Sequence, residues 1–73
     1  MPKVRDIIAI LRAHGFELDR QQGSHRQYEA VIDRTRRTRR IVTISQKDGE
    51  EIAKRLLGQI IRQSGLPKTL FRR

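Results

Sequence analysis

The sequence predicts an α+β protein in the order α-β-β-β-α, a three-stranded antiparallel sheet with both helices on one face. Three observations lead there. Apolar residues recur at helical spacing near both ends of the chain: Val4, Ile7, Ile8 and Leu11 in one stretch, Ile52, Leu56, Leu57, Ile60 and Ile61 in the other. Between them, residues 24–33 alternate, with Tyr28, Ala30 and Ile32 on one side and His25, Gln27 and Glu29 on the other. A further run, Ile41 to Ile44, is rich in β-branched residues. Consecutive strands make a meander, and two amphipathic helices can then share one sheet face around a single core.

Each element follows in order. Residues 2–14 read as the first helix, with Pro2 in its first turn and Gly15 placed as a left-handed C-terminal cap. His14 falls in the last turn, where the helix dipole favours a cation, and that local role is sufficient for it. Residues 16–21 read as a half-buried strand, Phe16 and Leu18 facing one way, Glu17 and Asp19 the other. Gln22-Gly23 makes a turn into the second strand, residues 24–33. Residues 34–40 hold five arginines and no apolar residue, the composition of a solvated hairpin tip. The third strand covers residues 39–45. Asp48, with Glu51 three places on, resembles a capping box that opens the last helix, which Gly65 closes. Gly58 inside that helix costs about 1 kcal/mol against Ala, and close packing is the one reason the sequence suggests for it. Pro67 prevents continuation, and Leu70-Phe71 folds back.

The chain has 73 residues, room for one domain (residues 1–73) and one small core. It has no cysteine, which excludes disulfides and thiolate metal sites and suits a reducing cytoplasm. The two histidines lack the spacing of a zinc site, and no cofactor or metal is expected. No signal peptide is visible, and no segment approaches the roughly 20 apolar residues of a membrane span. Seventeen Lys and Arg oppose eight Asp and Glu, a net charge of +9. Most of the positive charge is Arg, whose planar fork matches phosphate oxygens. Such an excess points to a polyanion, nucleic acid before membrane, because neither helix is the long basic amphipathic kind with Trp or Phe on its apolar side. Ion-pair networks of the thermophilic kind need both signs, and the acids are too few.

The parity of the second strand connects sequence to chemistry. If Tyr28 faces the core, His25 projects onto the open face of the sheet. Alone, Gly23-Ser24-His25 reads as an ordinary β-turn followed by a surface histidine. Several segments together, however, resemble the HicA toxin family: Gly15-Phe16-Glu17-Leu18, Gly23-Ser24-His25-Arg26, the short Arg-rich hairpin, Val42-Thr43-Ile44 and Ile60-Ile61-Arg62-Gln63-Ser64-Gly65-Leu66. The resemblance runs from the first helix to about Phe71. It implies a double-stranded-RNA-binding-domain-like fold and cleavage of messenger RNA with His25 as the catalytic residue. It also implies a HicB-like antitoxin that binds and blocks the toxin. The free toxin is expected to be a monomer, although the sequence does not reveal it. Family members often carry a Pro-x-His-like stretch after the third strand, where this chain has Ser45-Gln46-Lys47. Arg55 stands where many members have glycine.

The chemistry this implies is general-base catalysis. Histidine is the side chain type suited to accept the proton of a ribose 2′-OH near neutral pH, so that the 2′-oxygen attacks the neighbouring phosphate. Arg26 or another nearby cation is expected to meet the growing charge, Gly23 to allow a tight turn near substrate, and Ser24 to orient the imidazole or a phosphate oxygen. No second histidine is evident as the leaving-group acid. Arg34, Arg36, Arg37, Arg39 and Arg40 read as a phosphate clamp on RNA, or as a docking surface for an acidic antitoxin. Tyr28 reads as core rather than a stacking platform, and the aromatic content of 4% fits recognition by shape and phosphate contact. Two other functions stay open at this point: a non-catalytic RNA-binding module, and an inactive toxin homologue that only binds an antitoxin.

Overall fold

Helix α1 (Val4–Ala13) buries Val4, Ile7, Ile10 and Leu11, with Ile8 half-buried beside them. The computed structural model to which it belongs describes residues 2–33, 35 and 38–71, apart from the side chains of Ile32 and Asp33. Gly15 ends the helix at φ 92°, the left-handed conformation its position predicts. Pro2 lies before the helix rather than in its first turn. The chain then forms β1 (Glu17–Gln22), β2 (His25–Asp33) and β3 (Thr38–Ile44), an antiparallel meander in the order β1-β2-β3. Helix α2 (Lys54–Ser64) and a 3₁₀ turn (Lys68–Phe71) complete the order α-β-β-β-α.

The register explains the core. Tyr28 pairs with Val42, and Arg26 pairs with Ile44, so Tyr28, Ala30, Val42 and Ile44 share one face of the sheet. All four are buried against Ile7, Leu11 and Ile60 of the two helices, and Phe71 folds back into the same cluster. Both helices therefore cover one face, and the other is left open.

Two expectations are corrected. Leu18 points to the same side as Phe16, opposite Tyr28, but is not buried with it: Phe16 is fully buried ahead of the strand, whereas Leu18 is 42% exposed. β1 is an edge strand with no buried residue, and its pairing with β2 slips between Leu18 and Arg20, leaving Asp19 as an extra residue. Nor does the last helix open at Asp48. Asp48 and Gly49 form a turn, the chain runs extended beside the N-terminus, and α2 begins at Lys54.

Hydrogen bonding gives the reason for the late start. The first backbone N–H groups of a helix lack partners within it. In α1 those of Val4 and Arg5 donate to the carbonyls of Glu50 (2.9 Å) and Asp48 (3.1 Å), while Ile52 N–H donates to Pro2 (2.9 Å). The residues expected to start one helix instead satisfy the start of the other. At the far end of α2, Gly65 adopts φ 69°, as expected of a cap. The Ser64 hydroxyl donates to the Ile61 carbonyl (2.7 Å) and accepts from Leu66 N–H (3.1 Å).

Gly58 is not explained by close packing, because a Cβ built there meets nothing within 4 Å. Replacing Gly58 by Ala is expected to stabilise the protein by about 0.5–1 kcal/mol. In a domain of this size thermal unfolding should show a rise of roughly 2–8 °C. Separately, Phe16→Ala should cost about 3–5 kcal/mol in denaturant unfolding. Leu18→Ala should cost under about 1 kcal/mol, since much of its surface is already wet in the folded protein. Equal losses would contradict the assignment of Leu18 to an exposed edge.

Candidate nucleic-acid interface

The β1–β2 hairpin closes on the pair Gln22–His25, with Gly23 and Ser24 as its two-residue loop. Gly23 sits at φ 61° with open space where a Cβ would point, so glycine is required there by backbone conformation and not by crowding. The Gln21 side-chain amide donates to the Gly23 carbonyl (3.2 Å) and braces the loop. His25 is thus the first residue of β2, exposed, on the face opposite Tyr28 and Ala30. Among the described residues its ring has no hydrogen-bond partner, so the imidazole is free to meet another molecule. His14 differs: its Nδ1–H donates to the Ile10 carbonyl at 2.9 Å, within its own helix.

The same alternation that turns His25 outward turns Arg26 inward. Its guanidinium donates to the Asp48 carboxylate (2.7 Å) and to the Gln46 carbonyl (2.9 Å). Only 16% of the side chain is exposed. Ser24 and Arg26 line one shallow hollow together with Gln46, Lys47 and Asp48. The four residues Gly23-Ser24-His25-Arg26 are therefore divided between two sides of the sheet, and Arg26 is not beside the imidazole. The Ser45-Gln46-Lys47 stretch lies on this inner side, where it supplies the carbonyl that Arg26 grips.

The described arginines of the run, Arg39 and Arg40, are also not beside His25. The base of the β2–β3 hairpin is the pair Asp33–Thr38, at the other end of β2 from His25. Eight residue steps of about 3.3 Å put it roughly 26 Å away. Arg34, Arg36 and Arg37 lie outside the described residues. Arg39 stands on the open face and donates to Glu29 at 3.0 Å. Arg40 is turned to the helix side, its guanidinium about 3.1 Å from where a Cβ on Gly65 would sit. There it faces the C-terminal end of α2, which attracts a cation.

Arg20, to which the sequence drew no attention, shares the face of His25 because it pairs with Gln27. Regular alternation from Leu18 would have sent it to the other side, and nothing in the residue types signals the extra residue at Asp19. Among the described residues no group of three or more His, Cys, Asp or Glu gathers as a metal site requires, and no helix is long and apolar enough to cross a membrane.

Fold and site together define a small, strongly basic α+β protein whose sheet presents one unpartnered histidine on its uncovered face. The chain belongs to the family described as the HicA toxin of bacterial toxin-antitoxin, whose model it matches over residues 4–66. A toxin of this kind has an antitoxin as its partner. No curated protein and no solved structure matches the chain.

Arg26 has the contacts of a structural residue, and its removal tests that. Arg26→Ala should lower stability by about 1–2 kcal/mol, allowing for the exposure of Asp48. Asp48→Ala should cost less, because the Gln46 carbonyl still holds the guanidinium. Equilibrium urea unfolding of the two variants gives the comparison, and a neutral Arg26→Ala would remove the guanidinium from the list of structural contacts.

Proposed function

We propose that this toxin is an endoribonuclease acting on messenger RNA in the cytoplasm, with His25 as its general base. The observation that carries the reading is the exposed imidazole at the start of β2, on a sheet face that neither helix covers. In the proposed step His25 accepts the proton of a ribose 2′-OH. The 2′-oxygen attacks the adjacent phosphorus, the bond to the 5′-oxygen breaks, and a 2′,3′-cyclic phosphate remains. The 5′-oxygen leaves with a proton returned by His25 or taken from water. A base so placed contributes on the order of 10²–10⁴-fold.

The net charge of +9 supports an RNA partner. In this reading Gly23 and Ser24 hold the turn that presents His25, and Arg34, Arg36, Arg37 and Arg39 meet phosphates. Arg26 serves by fixing the strand, and Arg40 sits on the helix side of the sheet. The six residue steps from His25 to Val31, the partner of Arg39, span roughly 20 Å, which suits a duplex read across its backbone better than one contacted base. A HicB-like antitoxin bound over the open face would hide His25 and so block cleavage. The whole chain, residues 1–73, acts as one domain.

His25→Ala should reduce cleavage of a purified transcript at least 10²-fold while thermal unfolding stays within about 0.5 kcal/mol of wild type, as for a surface substitution. Expression of the wild type alone should arrest growth and the variant should not. A His25→Ala protein that degrades RNA at the wild-type rate would falsify the assignment.

A further inference from the structure

We propose that Arg20 binds the RNA phosphate presented to His25, supplying the cation that Arg26 does not. This rests on the nuclease reading for its catalytic consequence, and on the fold alone for the phosphate site itself.

The register places it. Gln22 lies directly opposite His25, and Arg20 lies opposite Gln27, so the four residues form two successive pairs on the open face. Arg20 is thus a diagonal neighbour of His25, at a separation of about 7–8 Å or a little less that a long side chain spans. A phosphodiester resting between them would contact both.

The bulge is the second observation. Leu18 pairs with Tyr28, so unbroken pairing would place Asp19 opposite Gln27 and Arg20 opposite Arg26, facing the helix side. The extra residue shifts the register by one, and every residue from Arg20 to Gln22 changes face. A one-residue slip is the device by which a strand re-aims a side chain, and it is concentrated at sheet edges and near functional sites.

The state of the other cations is the third. Arg26 is held by Asp48, and Arg39 by Glu29. Arg20 is exposed and makes no ion pair or hydrogen bond among the described residues. Its neighbours on the face nearest His25, Gln22 and Gln27, are neutral. The nearest acids are Asp19, the extra residue of the bulge, which makes no ion pair with Arg20, and Glu29 of β2, which is engaged by Arg39. A guanidinium in this setting offers two parallel N–H donors to the non-bridging oxygens of a phosphate. As the 2′-oxygen adds to phosphorus, those oxygens gain negative charge, and the fork stabilises it.

Two measurements on the full chain test this. In single-turnover cleavage of a short hairpin RNA, Arg20→Ala is expected to lower the maximal rate about 10²-fold, more than it raises the half-saturating protein concentration. Arg20→Lys should recover part of the rate, since it keeps the charge and loses the fork. Binding of the same RNA to His25→Ala and to His25→Ala/Arg20→Ala is then compared across a salt series. The double variant is expected to bind more weakly, with a log–log salt slope shallower by about 0.7–0.9, the signature of one lost phosphate contact. Arg20→Ala with unchanged rate, affinity and salt slope overturns the proposal, and the nuclease reading stands if His25→Ala is still inactive. A changed salt slope without any cleavage by the wild type supports the Arg20 site and defeats the nuclease reading.

Discussion

The contact on which the rest of the structure depends is the packing of Tyr28, Ala30, Val42 and Ile44 against both helices. A chain this short has one core, and two short helices suffice to cover one face of a three-stranded sheet. Once those four residues are buried, strand geometry leaves no choice for their neighbours. His25, Gln27 and Glu29 must face outward, and Arg26 must face the helices. The histidine is therefore turned outward by the same constraint that makes the protein fold.

Arg26 links that core to the ends of the chain. Its guanidinium grips Asp48 and Gln46, the carbonyl of Asp48 accepts from the start of α1, and Glu50 and Ile52 extend the same pairing to residues 2–4. The first residues of β2, the first turn of α1 and the stretch before α2 form one hydrogen-bonded unit. Because side chains on a strand alternate, holding Arg26 on one side also orients His25 on the other. A flexible hairpin end would otherwise let the imidazole wander, and placement within a fraction of an ångström matters for proton transfer.

Charge on the open face is uneven. Toward the Gly23 turn stand Arg20, Gln22, His25 and Gln27. Farther along, Glu17 lies directly opposite Glu29, Asp19 is close by, and the exposed Val31 and Ile41 occupy the same face. Like charges opposed across a ladder disfavour the sheet, and the Arg39 contact to Glu29 offsets part of that. A polyanion laid on this sheet meets cation and neutral donors at one end and carboxylates in the middle. The bulk figure of +9 says that the chain favours a polyanion. It does not say where on the surface that polyanion is welcome.

The sequence by itself determined the element order, the inward face of β2, the glycine caps at Gly15 and Gly65 and the outward direction of His25. These are local properties: helical and strand periods, positive-φ turns and alternation act over a few residues, and residue type carries them. The outward turn of His25 also implied the inward turn of Arg26, and reading the pair as one cationic site overlooked the alternation already in use. Only the tertiary structure decided that residues 48–52 cap α1 rather than begin α2, because the competing partner is the far end of the chain. And it alone turned Arg20 onto the face of His25, since a one-residue bulge reverses the parity of a strand and leaves no mark in composition or spacing.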